Sequence, residues 1–156
     1  MRTIRVTVAA ILLGLMVYAC TSEPARNEAG QIEEEGELSV FNFRVGDCFN
    51  DPSLTADEVS DVAGVPCSGP HDNEVFHLYD LPDGSFPGRA GIDASVETEC
   101  FPAFENYVGI SYEISELFYF PLTPTEESWA QSDREVVCAL FADGEQLTGS
   151  MKGSSR

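Results

Sequence analysis

The chain has 156 residues, enough for one domain of ordinary size with a limited core. It carries 27 Asp+Glu against 8 Lys+Arg, a net charge of −19. So acidic a surface repels polyanions, which excludes nucleic-acid binding, and the lack of a basic patch excludes electrostatic docking on anionic lipid.

The first residues read "MRTIRVTVAAILLGLMVYAC". Arg2 and Arg5 form a short basic region, and residues 6–18 are almost wholly apolar. This is the layout of a secretory signal, predicted here over residues 1–19, and is too short and wrongly flanked for a stable membrane span. "VYAC" places Val17 at −3, Ala19 at −1 and Cys20 at +1, which resembles the lipobox of bacterial lipoproteins, where the cysteine thiol is acylated before cleavage. Cysteine parity agrees: five cysteines are odd for an exported protein, and acylating Cys20 leaves four that can pair. Two acyl chains suffice for stable attachment, so the expectation is an exported protein anchored by lipid to the outer face of the cell membrane. Loss of Arg2 and Arg5 with the signal leaves 27 acids against 6 bases, a net of −21.

After Cys20, the stretch "TSEPARNEAGQIEEEGEL" has no aromatic and almost no large apolar residue. Residues 20–38 are therefore predicted to be a disordered acidic tether, extended by self-repulsion in "EEEGE". No calcium-loop pattern occurs in it.

Residues 39–153 are expected to form one folded domain. "SVFNFRVGDCF" alternates, with Phe41, Phe43 and Val45 on one face, and predicts a half-buried strand. Further strands are predicted at 61–67, at 73–81 before a "PDG" turn, and at 117–122 and 135–141, whose apolar runs suggest central positions. Asp143-Gly144 turns the chain into a last strand, "EQLTGSM", paired back as a hairpin. The main helix is predicted over about 94–107, capped by Asp93, with Val96, Cys100, Ala103, Phe104 and Tyr107 on one face and an interruption at Pro102. A short helix at about 125–131 takes Thr125 as its cap. The fold class is α+β with a small, mainly antiparallel sheet.

An oxidising location turns Cys48, Cys67, Cys100 and Cys138 into two disulfides. Three connectivities are possible; Cys48–Cys67 and Cys100–Cys138 is favoured, tying neighbouring strands and then the helix to a central strand. No CxxC pair exists, which argues against a zinc or redox centre.

"VPCSGPHDNEVFHL" (65–78) holds both histidines and two carboxylates. As a strand, period two puts His71, Asn73 and His77 on one face and Asp72 and Glu74 on the other, so no shared metal site forms locally. His71 and His77 are roughly 20 Å apart along such a strand. There is no nucleophile elbow beside Ser68 and His71. No metal and no cofactor are expected.

"VGDCF" (45–49), "VPCSGPHDNEVF" (65–76), "ETEC" (97–100), "YVG" (107–109), "PTEESWAQSDREVVCAL" (124–140) and "LTGSM" (147–151) occur in this order. Over residues 45–153 the chain resembles the septum formation family of actinobacterial secreted and lipid-anchored proteins. Ser132 stands where that family often has glycine. The resemblance implies a cell-envelope setting and a link to division septa, and brings no enzymatic activity. From the residues, Asp47 and Asp133 suit turn capping, and Arg134 suits a pair with Asp47, Asp72 or Glu74. Alternatively His71, Glu74, Trp129 and Arg134 line one recognition groove. The leading functional expectation is a non-enzymatic, lipid-anchored module that binds an envelope or division protein or a cell-wall component. The rivals are a cell-wall or ester hydrolase using His71 with a carboxylate, and a small-ligand-binding lipoprotein. An exposed aromatic patch favours the first, a deep polar pocket with His71 the second, a closed apolar cavity the third.

Overall fold

The computed structural model describes residues 23–51 and 59–156; the expected signal peptide and Cys20 lie outside the described residues. In chain order the elements are β1 (Gly36–Ser39), β2 (Cys48–Asn50), β3 (Asp61–Val65), β4 (Pro70–His71), β5 (Asn73–Asp80), α1 (Gly88–Val108), β6 (Leu117–Leu122), α2 (Glu126–Ala130), β7 (Glu135–Ala142) and β8 (Leu147–Thr148). Six strands form a sheet in the order β1-β3-β2-β5-β7-β6, every pair antiparallel, and β4 pairs with β8 in a separate two-stranded ladder. This is the expected α+β class. Both disulfides form, Cys48–Cys67 and Cys100–Cys138.

Each face of the sheet has its own core. On one side α1 lays Ile92, Val96, Cys100, Phe104 and Tyr107 against Phe76, Val136, Cys138 and Leu140. On the other, Val75, Val137 and Ala139 meet Phe43, Phe49, Leu38 and Ile32. A strand covered on both faces loses its polar alternation, and β7 accordingly reads as an unbroken apolar run. A register shift between Val75 and His77 flips the alternation of β5, so that Phe76 packs on the α1 side and Leu78 on the other.

Several expectations are corrected. The opening stretch is not one strand. The chain makes a 3-10 turn over Val40–Asn42 and then a turn at Gly46 with φ +93°, which leaves Phe41 60% and Val45 51% exposed while Phe43 is buried. Only glycine adopts that φ freely. β6 is an edge strand and not a central one. β8 does not fold back on β7; fully buried Leu147 pairs with His71 instead. α1 begins six residues early, so Asp93 lies inside it beside Arg89, and Pro102 does not end it. Pro102 sits on the exposed side, while Cys100 and Phe104 anchor the opposite side and Cys100 is bonded to β7. α1 stops at Gly109, φ +88°, whose N–H donates to the Glu105 carbonyl at 2.9 Å.

The disordered-tether expectation also fails for residues 23–38. This segment is a strap packed on the domain. Pro24, Ile32 and Leu38 are buried, Arg26 and Ile32 form a β-bridge, and β1 joins the sheet edge. Ile32 and Leu38 sit where a side chain on Gly64 would be, 3.1–3.2 Å from its missing Cβ. The Arg26 guanidinium grips Asp47 through two bonds of 2.5 and 2.7 Å. Glu33, Glu34 and Glu35 stay in water. One isoleucine, one leucine and one arginine hold a stretch whose bulk composition reads as unstructured.

Candidate functional site

The "GDC" turn organises one end of the sheet. Gly46 N–H donates to the Val75 carbonyl at 2.7 Å, and Val75 N–H donates back to the Asp47 carbonyl at 2.9 Å. The Asp47 carboxylate, 2% exposed, accepts from Arg44 N–H and from Arg26. That bidentate bond raises the Arg26 pKa above its ordinary value, against the opposing effect of burial.

Next to this turn lie His71, Asn73 and Glu74, each fully buried. Strand alternation predicted His71 and Glu74 on opposite faces, and the structure corrects this. The chain bends at Asp72, whose N–H donates to Asn50 Oδ1 at 2.8 Å. His71 thus belongs to the β4–β8 ladder and Glu74 to the main sheet, and the period-two count restarts between them. Cys48 Sγ, a His71 ring nitrogen and a Glu74 oxygen all fall within 4.8 Å of one another.

This cluster does not suit a metal while the disulfide is closed, because Cys48 offers no thiolate. Glu74 is also taken. It accepts from the Tyr107 hydroxyl at 2.7 Å, the Ser150 hydroxyl at 2.5 Å and the Met151 N–H at 2.6 Å. Burial and the Glu74 charge push the Tyr107 phenol well above its ordinary range, so it remains a donor. The His71 Nδ1 donates to the Gly69 carbonyl at 3.0 Å, and Nε2 has no hydrogen-bond partner among the described residues. Chemically, the arrangement is a buried carboxylate that fastens α1 and the C-terminal segment to β5. Sequence reasoning missed Tyr107, Ser150 and Met151, since only Tyr107 carried a signal, and that signal was apolar periodicity.

Trp129 and Arg134 lie elsewhere. Arg134 is beside the far end of β5, where its carbonyl accepts from Leu81 N–H. Six residues of strand, roughly 20 Å, separate that end from Glu74. The four residues expected to line one groove therefore form two separate pairs. Arg134 does not reach Asp47, Asp72 or Glu74. Its guanidinium lies 3.8 Å from the centre of the Trp129 ring, donates to the Trp129 and Asp133 carbonyls, and meets exposed Asp83 at 3.3 Å. The Trp129 indole N–H donates to the Gly84 carbonyl at 3.1 Å. Together they pin the loop before α1. His77 stacks on Tyr79 of the same strand at 5.7 Å, whereas His71 belongs to β4.

A groove of about 860 Å³ opens on the sheet face away from α1. The strap and the Val40–Asn42 turn cover the β1-β3-β2 half of that face and, with it, Val137 and Ala139 of β7 are buried, while Phe118, Phe120 and Leu122 of edge strand β6 stay partly exposed. Phe120, Leu122, Val137 and Phe141 make the floor, with Val40, Phe41 and Val59 along one wall. Asp51, Glu127, Asp133 and Glu135 line its rim, and among the described residues no lysine or arginine does. Phe118, 44% exposed, extends the floor beside Phe141 at 5.7 Å. Burial, Asp80 and Asp133 all raise the Glu135 pKa.

A family model for septum formation matches residues 17–138. The chain belongs to the septum formation family. Neither the curated proteins nor the solved structures gave a significant match. Membership ties the role of the chain to septum formation in cell division. Among the described residues no helix is long and apolar enough to cross a membrane.

The motifs of the septum formation domain now have physical roles. Gly46-Asp47-Cys48 holds the strap, β5 and a disulfide at one turn. His71 and Glu74 are the buried joint between the two ladders. Thr125 caps α2 in a reciprocal pair with Ser128, and Asp133 accepts from the Ser128 hydroxyl and Glu135 N–H. Ser132 has φ +74°, the left-handed region, which is why glycine suits that position.

Proposed function

We propose that this septum formation domain is a lipid-anchored extracytoplasmic binding module, acting by recognition of an envelope or division protein or of a cell-wall component and not by catalysis. One observation carries the reading. The polar groups that could do chemistry, His71 and Glu74, are sealed inside the fold, whereas an accessible groove has an apolar, aromatic floor and an acidic rim. Patches of that kind on exported domains mark contact with partners. Anchoring through Cys20 rests on the lipobox-like sequence. The strap adds a constraint: six residues separate Cys20 from Arg26, at most about 20 Å of chain. The Arg26–Asp47 end would then stand close to the lipid, with no long tether.

The test uses a full-length fluorescent fusion in dividing cells, with proximity labelling. Septal enrichment and a labelled division or envelope protein are expected. Cys20→Ala should lose acyl label and leave the membrane fraction; retention there without label refutes the anchor. Uniform placement with no division-site neighbour refutes the septal module. Cell-wall or ester hydrolysis that His71→Ala abolishes would replace recognition by catalysis.

A further inference from the structure

We infer that the groove over β6 and β7 takes a peptide segment of a partner protein in which aliphatic or aromatic side chains are flanked by lysine or arginine. The inference rests on reading the chain as a binding module and specifies what it binds. The floor supplies apolar area: Phe120, Leu122 and Phe141 are half-buried, with Val137 beneath them. The rim supplies negative charge. Glu127 comes from α2, and Asp133 and Glu135 from the entry to β7, with Asp80 behind them. The neighbouring base, Arg134, is turned away onto Trp129 and Asp83. Like charges held together beside an apolar floor favour a cation whose flanking groups fill that floor.

Charge also selects among occupants. The chain's own segment 52–58, "PSLTADE", has two acids and no base, so it would add to the repulsion. A second copy of residues 21–156 brings 27 acids against 6 bases, a net charge of −21. A polyanion is repelled outright. A basic, apolar peptide meets both halves of the site.

The test is fluorescence anisotropy with residues 21–156, which include every described element, and a labelled synthetic peptide alternating lysine with leucine and phenylalanine. Saturable, salt-sensitive binding is expected. Phe41→Asp, at a 60% exposed position on the wall, and Glu127→Lys, at an exposed helix position, should each weaken it about tenfold. Glu97→Lys makes the same charge change on α1, away from the groove, and should leave affinity within about twofold. Equal weakening by Glu97→Lys and Glu127→Lys would show attraction to net charge alone and overturn the inference. So would equal binding of a peptide with glutamate in place of lysine, or the absence of saturable binding. A dimer in sedimentation that Phe41→Asp dissociates would assign the groove to a second copy. If septal enrichment persists without peptide binding, the partner chemistry is wrong and the module reading stands. If peptide binding persists with uniform placement on the envelope, the septal setting is wrong and the groove assignment stands.

Discussion

Arg26→Ala tests whether the strap is part of the fold. In the intact protein the guanidinium makes two bonds, 2.5 and 2.7 Å, to a carboxylate that is 2% exposed, while the arginine side chain is itself only 15% exposed. Breaking a buried pair from one side costs about 3–5 kcal/mol, most of it from the charge left behind. Here Asp47 keeps the Arg44 N–H at 2.8 Å, and the vacated space admits water, so the lower end, about 3 kcal/mol, is expected. For a domain of this size that lowers Tm by roughly 10 °C. The strap should loosen with it, so exchange of the Glu33 amide, bonded to the Ala25 carbonyl at 2.8 Å, should accelerate sharply. In an Asp47→Asn background, where no buried charge is stranded, the same substitution should cost about 1 kcal/mol or less. Circular dichroism melts and hydrogen exchange of the four proteins give the answer. A Tm within about 2 °C of wild type, or a Glu33 amide that already exchanges freely in the wild-type protein, would refute the packed strap.

Ser132→Gly should raise stability by about 0.5–1 kcal/mol in denaturant titration, because serine is strained at φ +74°; unchanged or lower stability would refute that strain. Replacing Cys100 and Cys138 together by alanine opens a link across 38 residues, and should cost about 4 kcal/mol with α1 the first element to lose protection; a melt like wild type would show that packing alone holds the helix. Glu135→Gln should stabilise the protein at neutral pH. Its carboxyl pKa is raised on folding, so the wild type loses stability as pH rises from the ordinary glutamate value through the folded one, and is at its disadvantage above it. The advantage of the variant should therefore vanish near about pH 4, and an advantage that grew toward acid would reverse the sign of the argument.

Local pattern carried a good deal. The apolar runs at 61–65, 73–80, 117–122 and 135–142 are strands, and the Val96–Cys100–Phe104–Tyr107 stripe faces the core, because strand and helix periods are written in neighbouring residues. That four cysteines would pair was legible from their even number once Cys20 is set aside, and of the three connectivities the favoured one is the one that forms. Alternation failed where the backbone turned: at Val40–Asn42 and Gly46 it misread Phe41, and at Asp72 it separated two residues that the fold brings together. Composition failed at the strap, where Ile32, Leu38 and Arg26 are too few to register and are held by Gly64 and Asp47 from distant parts of the chain.

The sequence by itself determined the family, most of the strands, the core stripe of the main helix and the acidic character, all of which depend on residue identity and short spacing. Only the tertiary structure decided that Glu74 answers to Tyr107, Ser150 and Met151, which lie 33 to 77 residues away. The order of the strands likewise made β6 an edge and left Phe118 exposed and Phe120 half-buried beside an acidic rim. Side-chain period is local, but which face is covered and which charge is paired depend on contacts between segments far apart in sequence, and those contacts made "VPCSGPHDNEVFHL" a joint and the β6 edge of the sheet the floor of a groove.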